Sequence, residues 1–265
     1  MTDDSSNLYF AFDQIVGARK VQEDSLAHEQ NLSFKDTVYD LFCLADGMGG
    51  HAAGDFASKL ALEASISNIK SSNKEDVSRK LFDAATTANK AIADQVRENP
   101  KLEGMGCTLI LIMILGNKFY YCSVGDSLIL LYRDKKLMRL NEDHSMKPVL
   151  EKMHKEGLLT VEELEKDPRR NALRSSIYGD TIELIDHPED PLTLEKDDLI
   201  IVASDGLETL DNIEIIDSIE NERLKGPETI NRDLFRKIKD KNYKNQDNTS
   251  IIIIDSKKMK IGNSG

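Results

Sequence analysis

Four aspartates stand where apolar runs begin or end. Asp46 follows the run LFCLA and precedes Gly47, and Asp205 follows LIIVAS and precedes Gly206. Asp247 lies two residues ahead of TSIIIID, and Asp24, beside Glu23, comes soon after the first strand-like segment. A carboxylate leaving a buried strand is costly to desolvate unless a counter-charge meets it. No run of basic residues matches these positions, so divalent cations are the natural counter-charge. Strand ends are also rigid enough to hold such a constellation. Oxygen-only ligands select hard ions such as Mg²⁺ or Mn²⁺. Zinc would recruit His or Cys, and none falls in a ligand-like cluster. Two ions about 3.5–4 Å apart can share a water and turn it into hydroxide near neutral pH. Glycine at 47 and 206 lets the backbone come close, so a carbonyl can join the ligands. An Asp-Gly pair alone reads more readily as a turn former. Two pairs, each closing an apolar strand, tilt the reading toward ligands.

The elements that must position these acids follow from periodicity. Residues 8–16 read as a strand, and 38–45 (VYDLFCLA) as a second, apolar on both faces toward its end. A helix is expected from about 53 to 70, with Phe56, Leu60 and Ala64, together with Ala57 and Ala61, on one face. A second, from about 75 to 98, carries the stripe Val77, Leu81, Ala84, Ala85, Ala88, Ile92 and Val96, with Pro100 just past its end. Residues 107–115, 118–124, 127–133 and 136–140 read as four strands. Gly116-Asn117 and Asp134-Lys135 suit hairpin turns, so an antiparallel meander is expected. Residues 145–187 are polar, irregular and partly helical: a candidate lid or substrate-facing flap, or an ordinary surface excursion. A buried strand at 198–204, helices at about 211–222 and 227–240, and a strand at 249–254 complete the order. The pattern predicts an α+β fold, antiparallel sheets covered by helices. Without a Pro/Gly/Ser-rich linker, residues 1–265 read as one domain.

Composition narrows the class. The 265 residues are 40% hydrophobic and carry a net charge of −12, opposite in sign to a general nucleic-acid binder. Cys43, Cys107 and Cys122 follow no metal spacing, and each sits in an apolar run as a small buried hydrophobe. The N-terminal MTDDSSNLYFAF lacks a signal peptide's basic start and apolar core. The run LILIMIL at 109–115 is too short to span a bilayer. A soluble cytoplasmic protein, monomeric and without membrane or nucleic-acid partners, is the expectation.

An ordered series of motifs then matches a known family. GARKVQEDS (17–25), LADGMGGHAAGDFAS (44–58), GCTLI (106–110), VGDSLILLYR (124–133), EDHS (142–145), ASDGLETL (203–210) and QDNTSIIII (246–254) resemble, in order, the metal-dependent protein phosphatases of type 2C in their bacterial form. A lone GDS or SDG means little, whereas the series with DGMGGH is specific. The resemblance implies a four-layer α-β-β-α sandwich, two antiparallel sheets face to face with helix pairs outside. It implies Asp46 as the carboxylate bridging two metals, the Gly47 carbonyl as a ligand, and Asp205 and Asp247 as the remaining ligands of the first ion. Asp24 resembles a residue acting mainly through metal-bound water, with Glu23 assisting. Asp126 resembles the ligand of a third, weaker metal site that shares Asp205. Arg19 resembles the phosphate-binding arginine. Its guanidinium suits phosphate oxygens, and its plainer reading is a surface arginine paired with Glu23 or Asp24.

The chain departs from the family at Gln22, where Asn is usual, and at Cys107, where Ser or Thr is commoner; neither removes a ligand. Met48 stands where the eukaryotic branch has a catalytic histidine; His51 does not inherit that role, His144 reads as structural, and the general acid stays unassigned. NALRSSIYG (171–179) resembles the bacterial flap signature only loosely, with Arg174 keeping one position. The implied activity is hydrolysis of phosphoserine and phosphothreonine on proteins, opposing a serine/threonine kinase, by a hydroxide bridging two Mn²⁺ or Mg²⁺ ions. Two alternatives remain at this stage. One is a pseudophosphatase that binds phosphoproteins without turnover, and the other is a different two-metal phosphoesterase such as a nuclease.

Overall fold

Strands that are apolar on both faces need cover on both sides, and this chain supplies it by stacking. The structure, a computed structural model, describes residues 9–34, 37–49 and 53–256. The N-terminal stretch 1–8 and His51 lie outside them. In chain order the elements are β1 (Tyr9–Ile15), β2 (Ser25–Phe34), β3 (Thr37–Ala45), β4 (Gly47–Met48), α1 (Ala53–Ser71), α2 (Val77–Glu98), β5 (Gly106–Cys107), β6 (Leu109–Leu115), β7 (Lys118–Val124), β8 (Leu128–Arg133) and β9 (Lys136–Arg139). There follow α3 (Lys147–Lys155), α4 (Val161–Lys166), β10 (Leu192–Thr193), β11 (Leu199–Ala203), α5 (Asn212–Glu222), α6 (Pro227–Lys241) and β12 (Thr249–Asp255).

Two five-stranded antiparallel sheets result, ordered β1-β12-β11-β8-β9 and β10-β7-β6-β3-β2. Alternate residues of each strand enter different cores. Phe42, Leu44, Ile110 and Ile112 meet Ile129, Ile200, Val202 and Ile252 between the sheets. The opposite face of one sheet packs Leu41, Cys43, Leu109 and Leu111 on Ala57, Ala61, Leu81, Ala85 and Ile92 of α1 and α2. The opposite face of the other packs Ile201, Ile251 and Ile253 on Ile215, Ile219, Leu234 and Ile238 of α5 and α6. Three cores between four layers make the expected α-β-β-α sandwich.

Four expectations need correction. The strand β2 was not foreseen. It is a polar edge strand with a bulge between Glu29 and Leu32, so alternation is broken where a pattern would be sought. The four strands from 107 to 140 are not one meander. β6 and β7 form a hairpin in one sheet and β8 and β9 a hairpin in the other, and the chain crosses between sheets at Gly125-Asp126-Ser127. The buried face of α1 is Gly54, Ala57, Ser58, Ala61, Leu62, Ser65 and Ile69, whereas Phe56 is 40% exposed. Small residues let α1 sit close to its neighbours, which a ranking by hydrophobicity overlooks. Finally, 145–187 is not irregular throughout: its first part holds α3 and α4. The second part is stitched down by bridges from Ile177 to Cys107 and from Asp186 to Ser123. Asn89 of α2 clamps it further, accepting from the N–H groups of Tyr178 and Gly179 at 3.0 and 2.7 Å.

The hairpin turns are as expected: Gly116, Asp134 and Lys135 all have positive φ. All three cysteines are buried, and burial pushes their thiols far up, which keeps them inert. Among the described residues no helix is long and apolar enough to cross a membrane.

Candidate metal centre

Strand register alone carries the acids to one end of the sandwich. Ala203 pairs with Ile251 and with Leu128, and Thr249 pairs with Ile15. Asp205, Asp247, Asp126 and the 16–24 loop therefore leave their sheet at the same edge. In the facing sheet Ala45 pairs with Ser25 and Leu109 with Val124, which sends Asp46, Asp24 and Gly125 to that edge too. Antiparallel order makes strand starts and strand ends neighbours. Acids far apart in sequence thereby meet.

Their charges show how closely. Burial first, and then the carboxylates of Asp24, Asp205, Asp126 and Asp247, push Asp46 well above the usual carboxylate range. Asp205 is pushed up to about 7 by burial, then by Asp126, Asp247, Asp24 and Glu208. Asp126 is pushed up to about 6 by burial and then by Asp143. Asp24 is 3% exposed. Its burial raises its proton affinity, and hydrogen bonds from Ser250, Ser204 and Asp46 pull part of that back. Glu23 is also raised, by burial and despite Arg19.

Second-row side chains hold the acids in place. Ser204 Oγ and Ser250 Oγ donate to Asp24 Oδ2 at 2.8 and 2.7 Å. The Asp46 N–H donates to Thr108 Oγ1 at 3.0 Å, and the Thr108 N–H donates to the Asp46 carbonyl at 2.9 Å. Asn248 ties the 16–24 loop: its Nδ2 donates to the Val16 and Val21 carbonyls, and its Oδ1 accepts from the Glu23 N–H. Gln22 bridges the Ile15 carbonyl and the Asp24 N–H, so the departure at that position keeps a positioning task. None of these roles was read from the sequence, although Thr108, Ser204, Asn248 and Ser250 all lie inside the quoted motifs. His144 is structural as read. The Gly125 N–H donates to its Nδ1 at 3.2 Å, and the ring fixes the turn that presents Asp126.

The glycines are required, for a reason only partly foreseen. A Cβ on Gly47 would lie 2.2 Å from the Gly54 carbonyl oxygen and 2.5 Å from that of Glu23. A Cβ on Gly206 would lie 2.2 Å from the Asn248 carbonyl oxygen. Both positions are crowded by backbone belonging to the site itself.

Arg19 pairs with neither Glu23 nor Asp24. Its Nη2 donates to Asp247 Oδ2 at 2.6 Å, and its side chain is 54% exposed at the mouth. Among the described residues no three acidic, histidine or cysteine side chains are gathered tightly enough to hold an ion as they stand. The donors nevertheless fit hard divalent ions. They are all oxygens, they raise one another's proton affinity, and Asp24 Oδ1 is buried with no hydrogen-bond partner.

Comparison with known proteins follows the same lines. Residues 9–153 match the family model for Protein phosphatase 2C. The chain is 32% identical to the protein phosphatase PhpP of Streptococcus pneumoniae over 197 residues, covering 72% of this chain and 76% of that protein. It is 36% identical to the serine/threonine protein phosphatase PstP of Mycobacterium tuberculosis over 179 residues, covering 65% of this chain and 33% of PstP. It thus spans about a third of that relative's length. The solved catalytic domain of PstP in complex with two manganese ions superposes with a TM-score of 0.69 at 28% identity, covering 94% of this chain and 97% of that one.

Proposed function

This chain belongs to the protein phosphatase 2C family, and on that premise we propose that it hydrolyses phosphoserine and phosphothreonine on proteins. The observation that carries the reading is the convergence of Asp24, Asp126, Asp205 and Asp247 on Asp46. Asp46, the Gly47 carbonyl, Asp205 and Asp247 would hold two ions, with Asp24 and Glu23 behind them, and Asp126 with Asp205 a third. Mn²⁺ or Mg²⁺, when bound, would supply a bridging hydroxide nucleophile and a counter-charge for the phosphoryl oxygens. With Asp247 serving as a ligand, Arg19 would be left to bind and orient the phosphate dianion through its paired donors. Thr108, Ser204, Ser250 and Asn248 keep the acids from drifting as charge changes among them. The thiols are buried and pushed up, so they are poor nucleophiles, and the proposed route needs no phosphoenzyme.

The chain would act as one catalytic domain, a monomer opposing a serine/threonine kinase. A binding-only role would be marked by loss of a metal aspartate, and every one is present. The test is turnover of an aryl phosphate and a phosphopeptide with Mn²⁺, with EDTA, and by Asp205→Asn. Turnover is expected in the first condition alone; equal rates in all three would refute the reading.

A further inference from the structure

The turn that carries Asp205 also borders a cleft. The 3-10 turn Asp205–Thr209 directs Asp205 to the centre, while Glu208, three residues on, walls a cleft of about 580 Å³. That volume suits a bound side chain and its backbone. The cleft has an apolar floor of Leu128, Leu130 and Leu210, all buried. On its lip Ile213, in the first turn of α5, is 69% exposed. Lys147 of α3 reaches across to Glu208 at 2.9 Å and joins the lid segment to the turn. Arg170, past α4, lines the same cleft, and among the described residues its guanidinium has no partner.

This cleft borders the turn that carries Asp205, because Glu208 of that turn lines it. A 3-10 turn rises about 2 Å per residue and stacks residues i and i+3 on one side, so Glu208 stands about 6 Å along the turn from Asp205. An extended peptide covers that in about two residues at ~3.3 Å each.

We propose that this cleft is a specificity subsite for the phosphoprotein, taking an apolar side chain about two or three residues from the phosphorylated one, with an adjacent acidic residue meeting Arg170. The proposal rests on the phosphatase reading above. The floor would desolvate the apolar side chain, and the unpaired guanidinium on the rim complements an acid.

The test uses phosphothreonine peptides carrying Leu-Glu, Ser-Glu or Leu-Lys two or three residues to either side. The readout is the ratio of kcat/KM between peptides for one enzyme, so any loss of folded protein cancels. For the unaltered chain a Leu/Ser ratio of about 10 is expected on one side, the scale of hydrophobic discrimination. The Glu/Lys ratio should be about 3, the scale of an exposed ion pair. Ile213→Asp should bring the first ratio toward 1, and Arg170→Glu should invert the second. Ratios near 1 on both sides, or no inversion in Arg170→Glu, would overturn the subsite. Failure of the unaltered chain to hydrolyse even an aryl phosphate with Mn²⁺ would instead overturn the phosphatase reading beneath it.

Discussion

Asp205→Asn should stabilise the metal-free protein and gain less stability from metal than the unaltered chain does. Asp205 is held at about 7 in the fold, against about 3.9 for a solvated aspartate. That gap corresponds to about 4 kcal/mol of penalty on the ionised form. The penalty is fully present above about pH 7. It shrinks as pH falls through 7 toward about 3.9, because the folded state then binds the proton more tightly than the unfolded one. The amide removes the charge but leaves a buried polar group, costing about 1–3 kcal/mol. The net gain at about pH 8 in EDTA is therefore about 1–3 kcal/mol, or roughly 2–12 °C in Tm at about 2–4 °C per kcal/mol. Mn²⁺ at about 100 times Kd adds about 2.7 kcal/mol to the unaltered chain, and less to the variant, which has lost a ligand. Thermal melts in EDTA and in Mn²⁺, at about pH 8 and about pH 5, measure all of this. The variant's lead in Tm should shrink on adding Mn²⁺, and its advantage in EDTA should fall at the lower pH. A variant that melts lower in EDTA at about pH 8, or equal Mn²⁺ shifts for both proteins, would refute the reasoning.

Other expectations are simpler. Gly47→Ala forces a methyl against the Gly54 and Glu23 carbonyls; it should cost about 1–3 kcal/mol and weaken Mn²⁺ binding, as read by denaturant unfolding and calorimetry. Arg19→Ala should raise KM for an aryl phosphate and weaken inhibition by inorganic phosphate, each by about 10-fold or more, on the scale of a charged hydrogen bond; unchanged phosphate inhibition would count against its role. Asn248→Ala removes three hydrogen bonds that pin the 16–24 loop and should cost about 1–3 kcal/mol, with faster amide exchange confined to residues 16–24 as the distinguishing readout.

Much of this was legible in the chain itself. The buried strands showed in LFCLA, LILIMIL and LIIVA, because residues apolar on both faces can only be interior. The α2 stripe was legible because Leu81, Ala85 and Ile92 recur at helical spacing, and all are buried. Asp46, Asp205 and Asp247 stood out because an acid beside such a strand has few uses. The edge strand β2 did not show, since half-exposed polar strands lack a pattern. Nor did the α1 face, where close packing of Ala and Ser outweighs hydrophobicity.

The amino-acid order alone therefore marked which acids are candidates for metal, and which segments had to be buried, because both follow from residue chemistry and local period. Only the tertiary structure decided which acids feel one another. Antiparallel register set strand starts beside strand ends, and the crossing at Gly125-Asp126-Ser127 put Asp126 into the same field as Asp205. It also decided that Arg19 pairs with Asp247, that two serines grip Asp24, and that the turn bearing Asp205 borders a cleft. These are contacts between residues up to 228 positions apart. Local pattern carries no information about them, because they arise from how whole strands are ordered across two sheets.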